Sequence, residues 1–283
     1  MKTVTSVSGG QSSAYIAANY PTDFNVFSLV CIDEPKAAPK DKKIIQMVSD
    51  RIGREFIATA EDDIILNTIL DLEQFIGSKI DWVAGDSFDQ VINKKGGFLP
   101  NQFRRFCTVE MKLRPMFRWW KNNCLIQENE PIEMHIGFRA NEHRRAKSMI
   151  ENCNNDGLIQ FKDIVGKHSN GKNKWAEAAW QKPRFPMIED GILKHNVQKY
   201  WSDKPVRFAP INGCVGCIHK QPLLLRLEYD NHPETMDWFE KIEKDGKGTW
   251  KDGMTYADIK KHRPQMQLGF DDFSECDTGH CGL

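Results

Sequence analysis

The sequence predicts an α/β fold built on a mainly parallel sheet. Two observations carry this. The first 60 residues alternate strand-like and helix-like segments. Phe24–Ile32 (FNVFSLVCI) is a continuous apolar run, the pattern of a strand buried on both faces.

Lys2–Val7 is short and β-branched, and Gly9–Gly10 breaks it before a helix over Gln11–Asn19. After the apolar run, Ile44, Ile45, Met47, Val48 and Ile52 space out a helix over Asp41–Ile52. Glu55–Thr59 reads as a third short strand and Asp62–Phe75 as a further helix. Glu133–Phe138 reads as a strand. Ser148–Lys182 is polar with Asn/Gly clusters, the composition of an insertion or mobile loop over a site. Helices are expected over Asn196–Trp201 and near Gln221–Tyr229. The composition changes at about Pro205, which suggests a domain over 1–205 and a cysteine-bearing segment over 206–283.

Charge and hydropathy exclude several classes. Lys+Arg and Asp+Glu are both 39, so no net basic footprint for nucleic acid exists, although local patches remain open. Hydrophobic residues at 40% argue against a disordered chain. No apolar run approaches the roughly 18–20 residues of a membrane helix. The start, MKTVTSVSGGQSS, lacks the apolar stretch of a secretory signal, so the expected compartment is the cytoplasm.

Eight cysteines are present: Cys31, Cys107, Cys124, Cys153, Cys214, Cys217, Cys276 and Cys281. In a reducing compartment, one tight CxxC favours metal, cluster or redox use for some of them. Cys31, inside the apolar run, is expected to be a core thiol.

Four segments carry chemistry. Ser6-Val7-Ser8-Gly9-Gly10-Gln11-Ser12-Ser13 joins a strand to a helix through glycines that let backbone N–H groups approach an anion. Hydroxyls of Ser8, Ser12 and Ser13 can donate to phosphate; a plain turn with a Ser N-cap also suits the pattern. No GK[ST] follows, so this is not a Walker A loop. Next, Leu99–Thr108 sets Cys107 beside Arg104 and Arg105 at a helix start, with Lys112 following, which predicts a lowered thiol pKa. A solvated basic face is the alternative. Third, Gly137 and Arg139 end a strand where α/β sheets bind ligands, with His143 expected at the surface. Fourth, Asn212-Gly213-Cys214-Val215-Gly216-Cys217 is a knuckle that points two thiolates at one ion. Cys107 is the best distant third ligand. Cys276 and Cys281 remain open as a fourth ligand, a resolving thiol or a second metal site, and thiol redox by Cys214 and Cys217 alone competes.

In order, SGGxxSAY, LPNxxxRFCTxxxK, IGxRxxExRR, Arg184-Phe185-Pro186-Met187 and NGCxGCxxK resemble the phosphoadenosine phosphosulfate (PAPS) reductase-like family. The closest flavour is the phage and prophage group, whose first loop typically reads SGGRTSAY. The likeness runs from Thr3 to about Lys220. The wider superfamily, adenine-nucleotide α-hydrolase-like, also holds ATP pyrophosphatases and enzymes that thiolate tRNA and DNA.

The resemblance implies a doubly wound, Rossmann-like sheet with an adenine nucleotide, ATP or PAPS, at the C-terminal strand ends. Ser6 and Ser8–Ser13 would surround the phosphates, and Asp33, within Cys31–Glu34, the adenine and ribose. Arg104, Arg105, Lys112 and Arg139, with Gly137 beside them, would meet phosphate or sulfate. Ser12 stands where pyrophosphatases carry Asp, so a Mg²⁺ role there is not implied. Cys281-Gly282-Leu283 keeps part of the reductases' ECGLH and implies a nucleophilic Cys281, with Cys107 and Arg139 as the other catalytic candidates. Cys107, Cys214 and Cys217, with Cys276 as a fourth, would hold a [4Fe–4S] cluster or, alternatively, Zn²⁺.

Three functions follow as expectations. The first is reduction of an adenylyl sulfate, with thioredoxin or glutaredoxin as electron donor. The second is ATP-dependent sulfur transfer to a nucleic-acid base or nucleotide, for which the basic stretches 104–121 and 139–147 would suit the acceptor. The third is a non-catalytic nucleotide binder.

Overall fold

A computed structural model describes residues 1–124 and 130–262. Cys276 and Cys281 lie outside the described residues.

Five parallel strands form the sheet: β1 (Thr3–Val7), β2 (Phe24–Leu29), β5 (Ile80–Ala84), β6 (Ile132–His135) and β8 (Asn173–Arg184). The spatial order is β5-β2-β1-β6-β8, closed by the antiparallel edge strand β7 (Ile159–Lys167). From β1 the chain builds outward first to one side and then to the other. The crevice at the C-terminal ends of β1 and β6 is therefore the topological switch point, where open α/β sheets bind ligands.

Helices cover both faces because inner-strand residues are apolar on both. Val7, Phe27 and Leu29 pack with α1 (Gln11–Asn19), α2 (Lys42–Ile52), α3 (Asp63–Ile76) and α9 (Lys194–Trp201). Val4 and Val26 face the other way, onto Phe117, Trp119 and Trp120 of α6 (Arg114–Asn123) and Ala146 of α7 (His143–Glu151). Local chemistry sets the helix ends. Asp41 and Asp62 accept N–H bonds at the starts of α2 and α3, and Gly53 and Gly77 end them in the left-handed region.

Four expectations are corrected. The Phe24–Ile32 run is not one strand: Phe24–Leu29 lies in the main sheet, and Cys31–Ile32 leaves it for a separate ladder. The segment Glu55–Thr59 supplies no strand to the main sheet. Only β4 (Ala58–Thr59) forms there, and it pairs antiparallel with β3 (Cys31–Ile32) in a separate ladder. The third parallel strand is β5, unmarked in the sequence reading because Ile80-Asp81-Trp82-Val83 has too little apolar pattern. The polar stretch 148–182 holds the end of α7 and the hairpin β7–β8, which extends the sheet. Only its root is buried, where Phe161 and Trp180 meet Phe117, so its composition is that of a solvated ribbon.

The cysteine-bearing part carries α10 (Pro222–Asn231), α11 (Pro233–Asp245) and α12 (Tyr256–Lys261). Its Val215, Leu225, Phe239, Trp250 and Tyr256 share one apolar cluster with Val30, Ile32 and Ala58 and with Phe88 of α4 (Phe88–Lys94). No helix among the described residues is long and apolar enough to cross a membrane.

Candidate functional site

The β1 loop is braced from four sides. Gly9 takes φ +76°, and a Cβ there would stand 2.5 Å from Ile65 Cγ2 on α3. The Ser13 hydroxyl donates to the Gly10 carbonyl (3.0 Å) and accepts the Ser8 N–H (3.0 Å). Trp201 Nε1 donates to the Gln11 carbonyl (3.0 Å). A Cβ at Gly137 would stand 3.0 Å from the Ser13 nitrogen, so the loop after β6 lies directly on the start of α1. No side chain caps α1, whose first turn faces the switch point with the positive end of its dipole. Ser13 is thus a buried brace for the loop rather than part of its surface. Ser6, on β1, is half-buried, as are Ser8 and Ser12.

Arg139 follows β6, and its Nε and backbone N–H both donate to Glu142 (3.0 and 2.8 Å). Arg145 takes the other Glu142 oxygen and lies over the Phe138 ring, 4.1 Å from its centre. Burial raises the Glu142 pKa, but the Arg139 N–H and the two guanidiniums outweigh it, and the carboxyl titrates below its ordinary value. Asp33 accepts from the Ser87 hydroxyl (2.6 Å) that caps α4. Arg104 is exposed on a turn braced by Asn101, and His143 is exposed as expected.

The second and fourth motifs meet. Cys107, Lys112, Gly213, Cys214, Cys217 and His219 line one cavity, floored by Phe239 and Trp250. Cys107 lies on α5 (Phe106–Thr108), which continues through a π-turn at Val109–Leu113 into α6. Pro115 explains that widening: it has no N–H for the Met111 carbonyl. Ser28 on β2 donates to that carbonyl instead (3.0 Å). The Cys214–Cys217 knuckle closes by the Cys217 N–H to the Cys214 carbonyl (3.1 Å). Gly216 is required where it stands, because a Cβ would fall 2.4 Å from the Phe239 ring.

The expected lowering of the Cys107 thiol pKa does not occur. Burial pushes it up and outweighs the Thr108 N–H and the charges of Arg105 and Lys112. Burial raises Cys214 further, against the pull of Lys112. Half-buried thiols whose pKa is raised in this way are poor free nucleophiles. Cys31 is a core thiol, as its apolar run implies.

Three sulfur donors on one cavity match, in kind, the donor set of a thiolate-bound cluster or zinc. Among the described residues, no three His, Cys, Asp or Glu side chains already form a group that could hold a metal ion.

Two site residues escaped the sequence reading. Glu61 is buried and pairs through one oxygen with Lys112 Nζ (3.1 Å), while its other oxygen has no hydrogen-bond partner. Its backbone bridges that of Cys214. Nothing in Thr59-Ala60-Glu61-Asp62-Asp63 signals this. His219 adds a nitrogen donor to the cavity wall, and its only signal was its place two residues after Cys217.

Asn212 joins the two halves of the site. A Cβ at Gly10 would stand 3.2 Å from Asn212 Nδ2, and the Asn212 Oδ1 is buried without a partner. The neighbouring Gly213 is on the cavity wall. The anion-facing loop and the thiol cavity are therefore adjacent. No family model, curated protein or solved structure matches the chain.

Proposed function

We propose that the chain is an adenine-nucleotide-binding enzyme, similar to PAPS reductases, with cysteine-dependent sulfur chemistry. One observation carries the reading: the glycine loop at the switch point abuts, through Asn212 and Gly213, a cavity lined by three cysteines. The uncapped start of α1 would hold phosphate oxygens. Arg139 would turn from Glu142 toward a bound sulfate or phosphate, giving a charge-assisted contact where the leaving group develops charge.

Cys107, Cys214 and Cys217 would serve as ligands, and the metal group they hold would supply a thiolate-bound centre beside the nucleotide. The attacking thiol would then be Cys281. Its sulfur would bond to the sulfonate sulfur of PAPS as the bond to the nucleotide phosphate breaks. A dithiol of thioredoxin or glutaredoxin type would release sulfite and leave as a disulfide.

The test is binding and turnover of PAPS, adenylyl sulfate and ATP by protein purified without oxygen. Nucleotide-dependent sulfite release that stops in Cys281→Ser supports the reductase reading. Cleavage of ATP at the α–β bond without sulfite release would replace it with the sulfurtransferase reading. Absence of binding by all three nucleotides would sink both.

A further inference from the structure

The β7–β8 hairpin has a distal half that the nucleotide site does not use. Its root is anchored. Asp163 takes Arg114 and Arg118, and Phe161 lies against Phe117. Beyond the root, every residue from Ile164 to Glu177 is exposed. The two strands remain paired there, Ile164 opposite Trp175 and Lys167 opposite Asn173, with a bulge at Val165. A tight turn closes them, with the His168 N–H on the Lys172 carbonyl (2.8 Å).

The distal half is basic. Lys167, His168, Lys172 and Lys174 lie on it, and no acid occurs between Ile164 and Ala176. The flanking acids are Asp163, taken by Arg114 and Arg118, and Glu177, opposite Lys162 in the ladder. Among the described residues, Lys167, Lys172 and Lys174 make no ion pair. The ribbon also exposes Trp175 (45%), Val165 (48%) and Ile164 (38%). A two-stranded ribbon without a packed face is marginal by itself. Charge of one sign beside uncovered apolar side chains marks a surface that a partner of opposite sign would cover.

We infer that this ribbon is a nucleic-acid-binding arm that grips duplex DNA. A two-stranded antiparallel ribbon has the width that the B-form major groove admits, about 12 Å across and about 8.5 Å deep. Five residues at about 3.3 Å each carry the strand from Asp163 to Lys167 that far. The lysines reach phosphates, and the paired Ile164 and Trp175, the latter with Arg114 5.8 Å from its ring centre, meet sugar and base edges. The deep, narrow major groove of A-form RNA does not admit such a ribbon. This inference is independent of the nucleotide reading, and it is compatible with a chain of zero net charge because the arm's own charges, Lys167, Lys172 and Lys174, are all of one sign.

The test uses the full chain and a fluorescent duplex of about 20 base pairs, with anisotropy titrations from about 50 to about 200 mM salt. Wild type should bind with a steep salt dependence. The variant Lys167→Ala/Lys172→Ala/Lys174→Ala should lose at least about tenfold in affinity, and its log–log salt slope should fall by about three. Its adenine-nucleotide affinity and melting temperature should be unchanged. Trp175→Ala should weaken DNA binding without changing the slope. Failure of the wild type to bind at about 50 mM salt would overturn the arm and leave the lysines as guards against edge pairing. So would equal binding by the triple variant, or tighter binding to an RNA duplex.

Discussion

The Asn212 side chain closes on Gly10: its Nδ2 lies 3.2 Å from where a Cβ on Gly10 would stand. A residue of the cysteine loop thereby lines the anion-facing loop, and its Oδ1 is buried with no hydrogen-bond partner. An orphaned acceptor of this kind costs folding energy that a bound donor can recover.

Asn212→Ala should therefore separate stability from binding. Removing the unpaired oxygen should leave unfolding free energy within about 1 kcal/mol of wild type. Adenine-nucleotide affinity should fall roughly tenfold, the loss of one hydrogen bond. Calorimetric titration beside a urea melt would read both. Unchanged affinity would remove Asn212 from the nucleotide site.

Lys112 and Glu61 form the buried ion pair of the site, and the Glu61 side chain is only 1% exposed. Lys112→Ala should cost about 3–5 kcal/mol by leaving a buried carboxylate without its cation. Adding Glu61→Gln should restore most of that. A double-mutant cycle from denaturant midpoints measures the coupling, and simple additivity would show that the pair does not matter.

Metal content tests the shared thiol cavity. Protein purified without oxygen should carry either about four irons with acid-labile sulfide or about one zinc. Cys214→Ser should lose that metal, whereas Cys153→Ser, away from the cavity, should keep it. Full metal content in Cys214→Ser would exclude it as a ligand. The first outcome favours cluster-assisted sulfur chemistry and the second a structural site.

His232 should make stability pH-dependent. Its Nε2 lies 3.3 Å from Asp62, the N-cap of α3, and 3.6 Å from Glu228. Burial pulls the imidazole pKa down, but the hydrogen bond and charge of Asp62 and the charge of Glu228 raise it overall. Asp62 is lowered in turn, burial being outweighed by His232 and the Ile64 N–H. The imidazole's contribution is fully present below its unfolded pKa of about 6.5 and disappears as pH rises through the folded value. His232→Gln should destabilise most near pH 5.5 and little near pH 9. A pH-independent difference in melting temperature would refute the linkage.

The sequence by itself determined the features that depend on neighbours along the chain. The Phe24–Leu29 part of the apolar run had to be a strand buried on both faces, and Gly9–Gly10 had to turn β1 into α1, because both follow from local sterics and hydropathy. The capping residues Asp41 and Asp62 act within one turn and were equally local. Glycines at 137 and 213 were visible as candidates for the same reason. Tertiary structure decided the rest. Whether Cys107 is activated or masked depends on desolvation by Val30, Phe239 and Trp250, which are remote in sequence, and burial won over the adjacent arginine. Glu61 became part of the site only because a backbone bridge carried Cys214 to it. Strand β5 was illegible because its apolar pattern is short, and its pairing with β2 is what holds it in place. The ribbon looked like a loop because its outer half has no core to bury. Its order comes from cross-strand hydrogen bonds, which hydropathy does not record.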